Sequence, residues 1–119
     1  SSMSGVSYKT AKRVLSYRKK LGGFYSFYQL NEVYHLTHSE YDILNSRLIL
    51  NRSKIKKIFI NTVSHYHLKK HPYLTAKQAS TIVNYRKKIK RYEDINDLRK
   101  VYGLTEENVS KIAPYISFK

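Results

Sequence analysis

The chain repeats itself at a constant spacing of 68 residues, and this duplication restricts its fold more than any other feature of the sequence. When residues 17–37 are aligned with residues 85–105, nine of the 21 positions are identical. Unrelated segments of this length share roughly one or two residues. The duplication predicts a partial unit at 4–50, a basic linker at 51–57 and a complete unit at 58–118.

Each unit has the sequence pattern of short helices. Apolar residues recur at helical spacing, and a capping box precedes several of these runs, in which a Ser or Thr and a Gln or Glu three residues later bond each other's backbone amides. The boxes begin at Ser26, Thr37 and Thr75. Because no alternating strand pattern persists, although residues 58–60 could be extended, we predict an all-α fold. The repeat makes the predicted helices equivalent in pairs, 8–20 with 76–88 and 27–34 with 95–102.

Positive charge dominates the composition. The chain has 23 Lys and Arg but only 8 Asp and Glu, for a net charge of +15. An excess of this size on a small chain favours a polyanionic partner, with an anionic membrane surface as the second candidate. Since there is no cysteine, disulfides, thiolate catalysis and cysteine-based zinc sites are excluded. No run of residues approaches the length of about 18 apolar residues that a membrane-spanning helix needs.

Several short stretches of the second unit resemble one known motif. They are Ile60-Asn61-Thr62, the turn His71-Pro72-Tyr73-Leu74-Thr75, the following Ala79, Ile82 and Tyr85-Arg86, and later Val101-Tyr102-Gly103-Leu104 and Ala113-Pro114-Tyr115-Ile116. Together they are similar to the helix-hairpin-helix module of ComEA, the DNA receptor of bacterial competence. In the first unit the resemblance begins at Gly5-Val6-Ser7. It implies duplicated helix-hairpin-helix units of SAM-domain-like architecture, the first of them truncated at its N-terminus.

The resemblance also implies where DNA would bind. In the family, the hairpin turn carries a Gly-hydrophobic-Gly sequence, and the amides that open the next helix face a phosphate. The two corresponding turns here, Gly5-Val6-Ser7 and Tyr73-Leu74-Thr75, keep one of the four glycines. The middle residue anchors the turn in the core, which predicts that Leu74 is buried. The implied DNA-binding residues are Gly5, Val6, Ser7, Tyr8, Lys9, Lys12, Lys69, Lys70, Tyr73, Leu74, Thr75 and Lys77.

A turn of this kind contacts phosphates rather than base edges, so the implied function is non-enzymatic, sequence-independent binding of double-stranded DNA. The resemblance adds a role in competence and DNA uptake, on the extracytoplasmic side of the inner membrane. It implies no cofactor and no small-molecule substrate. The incomplete first unit leaves apolar residues such as Val6 and Val14 short of a partner helix, which favours a homodimer. The alternative is a structural or protein-interaction module that keeps the fold without binding DNA.

Two chemical interpretations of the sequence are weaker. His65, His67 and His71 could share a metal ion, but the acid-free stretch 53–92 offers them no carboxylate ligand. Gly5-Val6-Ser7 also resembles the hairpin of DNA glycosylases, yet the chain is too short for the second lobe that closes the base pocket of those enzymes.

The twelve tyrosines suggest either base stacking or core packing. Because Tyr34, Tyr102 and Tyr115 occupy repeat-equivalent or family core positions, we expect these three rings to be buried. The residues expected on the surface are Tyr8, Tyr25, Tyr28 and Tyr73.

Overall fold

The computed structural model describes residues 5–119, which divide into two compact units between Ile55 and Lys56. This division lies inside the predicted linker 51–57. Part of that segment is ordered, because Arg52–Lys54 forms a short 3-10 helix and Ile55 is buried. The unit boundaries given by the repeat stay predictions. No helix in residues 5–119 combines the length and the apolar character needed to cross a membrane.

The three longer helices of unit one each begin at a side-chain cap. Helix α1 spans Tyr8–Leu21, a 3-10 helix spans Phe27–Glu32, and α2 spans His38–Arg47. A Ser or Thr precedes each of them, and its side-chain oxygen accepts an amide hydrogen that the helix start would otherwise leave unpaired. These caps are Ser7, Ser26 and Thr37. Helix α1 ends at Gly22, whose amide bonds the carbonyl of Arg18 at 3.1 Å.

Unit two adds a pair of two-residue strands to its helices. In chain order its elements are β1 (Ile58–Phe59), α3 (His65–Leu68), α4 (Ala76–Ile89), α5 (Ile95–Arg99), α6 (Glu106–Ile112), a 3-10 helix (Ala113–Tyr115) and β2 (Ile116–Ser117). The strands are parallel, with Ile58 opposite Ile116 and Phe59 opposite Ser117. The all-α prediction is confirmed for the body of the unit, and the extended conformation expected near residue 58 finds its partner in β2.

The arrangement of helices confirms the duplication. At the repeat spacing, α1 corresponds residue for residue to α4, and α2 corresponds to α6 with its following 3-10 turn. The same core positions are buried in both units: Ala11 and Ala79, Val14 and Ile82, Phe24 and Tyr92, Leu30 and Leu98, Val33 and Val101, Leu44 and Ile112. The 3-10 helix of unit one begins at the position equivalent to the start of α5 but is wound more tightly. Its Gln29 side chain accepts from the amides of Tyr25 and Ser26, which holds that first turn.

Polar side chains tie the loops of unit two to its core. Arg86 in α4 donates to the carbonyls of Ile60 and Val63 at 3.0 and 2.7 Å. The fully buried Tyr92 donates its hydroxyl to the carbonyl of Ile82 at 2.7 Å, and burial raises the pKa of Tyr92 above its ordinary value. The loop before α3 and the loop after α4 are therefore both fixed to α4, the helix that follows the first turn of this unit.

Two of the three tyrosines expected in the core lie on the surface. Tyr115 is fully buried, but Tyr34 is 73% exposed and Tyr102 is 88% exposed. Val33 and Val101, which precede these tyrosines, are buried instead. The residues that follow the tyrosines, His35 and Gly103, have a positive φ. The expectation was wrong because the repeat shows only that two positions are alike, and not on which side of a turn they lie.

Candidate nucleic-acid interface

Four turns of similar construction each lead into a helix. The sequence predicted two of them as contacts, at 5–7 and 73–75, and the structure adds 35–37 and 103–105. In every turn an apolar residue precedes a Ser or Thr that caps the next helix. The second pair was missed because the family's phosphate-binding turn was assigned only to residues 5–7 and 73–75, although the Leu-Thr dipeptide that both missed turns share at the repeat spacing was an available signal.

Backbone conformation shows which of these turns needs a glycine. Gly5 and Gly103 both have φ of 89°, in the left-handed region that disfavours residues with a Cβ, while His35 adopts φ of 57° despite its side chain. A Cβ at Gly5 would also lie only 2.5 Å from Cδ1 of Ile43. Tyr73 is not among the residues with positive φ, so the turn that lost its glycine has no left-handed residue at this position.

Aromatic rings and a buried leucine hold the turn 73–75 of unit two in place. Leu74 is 6% exposed, which confirms that it is buried. The amide of Tyr73 donates to Nδ1 of the buried His71 at 3.1 Å, and the two rings lie 5.1 Å apart. The ring of Tyr115 lies 5.0 Å from that of His71. The turn is therefore held by packing rather than by the conformational freedom of glycine.

The first turns of α1 and α4 offer hydrogen-bond donors of the kind that bind anions. The cap side chain reaches only the third amide, at 3.1 Å from Thr10 N to Ser7 Oγ in unit one and at 3.0 Å in the equivalent bond of unit two. Within residues 5–119, no acceptor bonds the amides of the first two helical residues, 8–9 and 76–77. These donors and the helix dipole favour a phosphate oxygen at each position.

A side-chain bridge joins the two turns of unit two. The side-chain amide of Gln78, in the first turn of α4, donates to Oδ1 of Asn108 at 3.2 Å and to the carbonyl of Gly103 at 3.3 Å. The same oxygen of Asn108 accepts from the amide of Thr105 at 3.0 Å. The bridge is uncharged, and it fixes the start of α4 beside the turn 103–105.

In unit one a carboxylate occupies the position equivalent to Asn108. Glu40 is 8% exposed and accepts from the backbone amides of Ser7 and Thr37, both at 3.3 Å. A hydrogen bond with the side chain of Thr10, and after it the bonds with these amides, lower the pKa of Glu40, while burial acts in the opposite direction. Glu40 is therefore ionised at neutral pH and places a negative charge between the two turns of unit one.

Acid should weaken unit one through Glu40. Because the pKa of Glu40 is lower in the folded chain than in the unfolded chain, its stabilising effect is complete above the ordinary glutamate pKa of about 4.3 and is lost as the pH falls through the folded value. We expect Glu40→Gln to be less stable than the wild type near neutral pH, and the difference in free energy of unfolding to shrink at acidic pH. Urea unfolding at the two pH values measures both quantities. Glu107→Gln, at an exposed position, is the control, and a stability difference for Glu40→Gln that does not change with pH would contradict the prediction.

Four lysines surround the turn 73–75. They are Lys69, Lys70, Lys77 and Lys111. The Nζ atoms of Lys70 and Lys69 lie 4.1 and 5.7 Å from the ring centre of Tyr66, and Nζ of Lys111 lies 4.5 Å from that of Tyr73. Lys77 is the second residue of α4. Lys111 is 36 residues or more from this turn in the sequence, and the tertiary fold brings it to the ring of Tyr73.

The predicted contact residues of unit one lie together at the start of α1. Lys9 is the second residue of the helix, and Nζ of Lys12 lies 5.7 Å from the ring centre of the exposed Tyr8. Arg13, one residue further, donates to the carbonyls of Tyr34 and His35 at 2.8 and 3.2 Å, which ties the second turn of unit one to α1. The predicted site residues thus form two groups, one in each unit.

The histidines that suggested a metal ion have other roles in the described residues. Within residues 5–119, no three His, Asp or Glu side chains are close enough together to hold a metal ion. His67 Nδ1 lies 2.9 Å from Oγ of Ser64, the residue that caps α3, and His65 Nε2 lies 3.1 Å from the carbonyl of Ala76.

Helix pairs joined by a short turn occur twice in unit two, as α3 with α4 and as α5 with α6. An apolar residue beneath the turn and a capped helix start after it define the class of helix-hairpin-helix proteins. A family model described as a helix-hairpin-helix motif matches residues 1–49 and 53–117. The chain belongs to this family, and its motif is generally associated with nucleic-acid binding and is typically non-enzymatic. No curated protein and no solved structure matches the chain.

Proposed function

We propose that this chain is a non-enzymatic module that binds double-stranded DNA without regard to sequence. The observation that carries the proposal is the combination of amide donors and lysines at the turn 73–75. The amides of residues 76–77 have no acceptor within the described residues, Lys69, Lys70 and Lys77 flank the turn in the chain, and Lys111 lies over the ring of Tyr73. Amide donors fix the position of a phosphate oxygen, and lysines supply the charge that draws a polyanion to it.

The chemistry of these groups favours the DNA backbone over the bases. Backbone amides and flexible ammonium groups bond phosphate oxygens, which are the same in every sequence, whereas base recognition uses planar side chains such as Arg, Asn and Gln on the groove edges. Around the turn 73–75 the charged groups are lysines. The side-chain amide of Gln78 is already engaged by Asn108 and Gly103. Duplexes of different sequence are therefore expected to bind alike.

Binding should fall steeply with salt and be insensitive to sequence. The amides and lysines that contact the duplex could neutralise about four to six phosphates, and only the lysine contacts release counterions fully, so the slope of log K on log salt should lie near −3 to −5. Duplexes of unrelated sequence should bind within about threefold of one another. Fluorescence anisotropy with labelled duplexes of two sequences, titrated at two or more salt concentrations, measures both quantities.

A flat salt response, or no binding at low salt, would favour the second candidate, a structural or protein-interaction module. Two observations support that candidate. The first position of the turn 73–75 holds a tyrosine instead of the family glycine, and the ionised Glu40 already occupies amides of unit one. On this hypothesis the fold persists while its phosphate contacts have been lost.

The finer biological role is part of the proposal and rests on the resemblance to ComEA-like modules. That resemblance supports binding of incoming DNA on the extracytoplasmic side of the inner membrane during competence. A homodimer through the incomplete first unit is also proposed, and its contact would not involve Val14, which is buried within unit one. Sedimentation equilibrium of the full chain distinguishes a dimer from a monomer.

A further inference from the structure

We infer that the negative charge of Glu40 disfavours phosphate binding at the start of α1 in unit one. Phosphate therefore binds at the equivalent position of unit two, the start of α4. This inference rests on the proposed function, because it concerns which of two similar turns contacts DNA. It makes Glu40 a residue that determines specificity between the two units, without touching the ligand at the binding turn itself.

The two units can be compared at the equivalent residues Glu40 and Asn108, which lie between the two turns of each unit and differ in charge. In unit two that position is Asn108, whose oxygen accepts from Thr105 and Gln78 and carries no net charge. In unit one it is Glu40, which accepts from the amides of Ser7 and Thr37. The backbone amides are similar in the two units, so the difference in charge decides between them.

A buried carboxylate beside the first turn of α1 opposes a phosphate there in two ways. It offsets the positive end of the helix dipole, and its negative charge repels an incoming anion. Glu40 is also held in place, because it bonds the amide of Ser7, the cap residue of α1, and the hydroxyl of Thr37 at 3.1 Å. It cannot turn away from a ligand without breaking these bonds.

The flanking lysines strengthen the same asymmetry. Lys69, Lys70 and Lys77 flank the turn 73–75 in the chain, and Lys111 reaches the ring of Tyr73 from α6. At the start of α1, the site residues with positive charge are Lys9 and Lys12, while Arg13 is engaged with the carbonyls of the neighbouring turn. Unit two therefore combines more positive charge with an uncharged bridge.

Two nearly isosteric substitutions in the full chain test the inference in opposite directions. Glu40→Gln removes the charge and keeps an acceptor, and Asn108→Asp adds a charge at the equivalent position. With a generic duplex of about 20 base pairs, Glu40→Gln should tighten binding and Asn108→Asp should weaken it, each by about three- to tenfold for one like charge near the phosphate. Asp42→Asn, on the same helix as Glu40 but at an exposed position, makes the same change in net charge and should alter binding by less than twofold, as expected for an exposed charge.

Backbone amide chemical shifts resolve the two units within one chain. On titration with the duplex, the amides of Ala76 and Lys77 should shift in the wild type, and those of Tyr8 and Lys9 should shift comparably only in Glu40→Gln. Equal shifts in both units of the wild type, or an affinity that neither substitution changes, would overturn the inference and leave DNA binding intact. Failure of the wild type to bind the duplex at all would overturn the proposed function instead.

Discussion

Replacing Leu74 with alanine is expected to lower the free energy of unfolding of unit two by about 2–4 kcal/mol. The side chain is 6% exposed and lies in the turn between α3 and α4, where its amide bonds the carbonyl of His71 at 3.1 Å. Truncation would leave a cavity that His71 and Tyr73 cannot readily close, because their rings are already packed on each other and on Tyr115. Urea unfolding of the full chain, followed by circular dichroism, measures the loss.

The matched control is the same substitution at Leu104, which has the equivalent place in the second turn of unit two. Leu104 is partly exposed, so alanine there removes less buried surface and should cost clearly less stability. A loss at Leu74 no larger than that at Leu104 would show that the turn 73–75 does not depend on its apolar residue. In that case the helix-hairpin-helix geometry of this turn would be maintained by its rings alone.

Local signals were sufficient to predict most of the fold. The capping boxes at Ser26, Thr37 and Thr75 all form, and Asp94 and Thr105 cap the helices that follow them. A cap depends on residues within three or four positions of each other, so the sequence contains the whole interaction. Because the two units are repeats, a helix predicted in one unit is also predicted at the equivalent positions of the other.

The features that the sequence did not predict depend on contacts between distant segments. Lys111 lies over the ring of Tyr73, and β1 pairs with β2 from the other end of the unit. Neither contact has a local sequence pattern, because only the tertiary fold brings these residues together. The role of Glu40 was missed for the same reason. Its capping of Thr37 is local and was predicted, whereas its bond to Ser7 joins residues 33 positions apart.

The sequence indicated which residues make up the candidate site, but not the interactions that hold them in place. The predicted positions around 5–12 and 69–77 do gather at helix starts, since a turn and its flanking lysines are close in sequence. What the sequence could not show is that a tyrosine can replace the family glycine at position 73 without a positive φ. Packing of Tyr73 on His71 removes the need for the glycine conformation, and that packing is a property of the assembled core.

Reversing two charges beside the turn of unit two, by Lys69→Glu combined with Lys70→Glu, is expected to weaken duplex binding at least about tenfold. Both lysines follow α3 directly, and the amide of Lys70 bonds the carbonyl of His67 at 3.2 Å, which fixes the backbone next to the turn. Their ammonium groups lie over the ring of Tyr66 on this same segment. Two attractive charges become repulsive at the proposed phosphate contact. The affinity should therefore fall, and the dependence of log K on log salt should become less steep.

Lys87→Glu combined with Lys88→Glu provides the control, because it changes the net charge equally at the far end of α4. Ten or more residues of helix separate those lysines from the turn, a distance of roughly 15 Å at 1.5 Å per residue. This exceeds the Debye length of about 8–10 Å at physiological salt, so their effect on a phosphate at the turn is largely screened. Lys111 is unsuitable as a distant control because its ammonium group lies 4.5 Å from the ring centre of Tyr73. Equal weakening by the two double variants would mean that DNA responds to the overall charge of the chain, and the turn 73–75 would then lose its place as the centre of the interface.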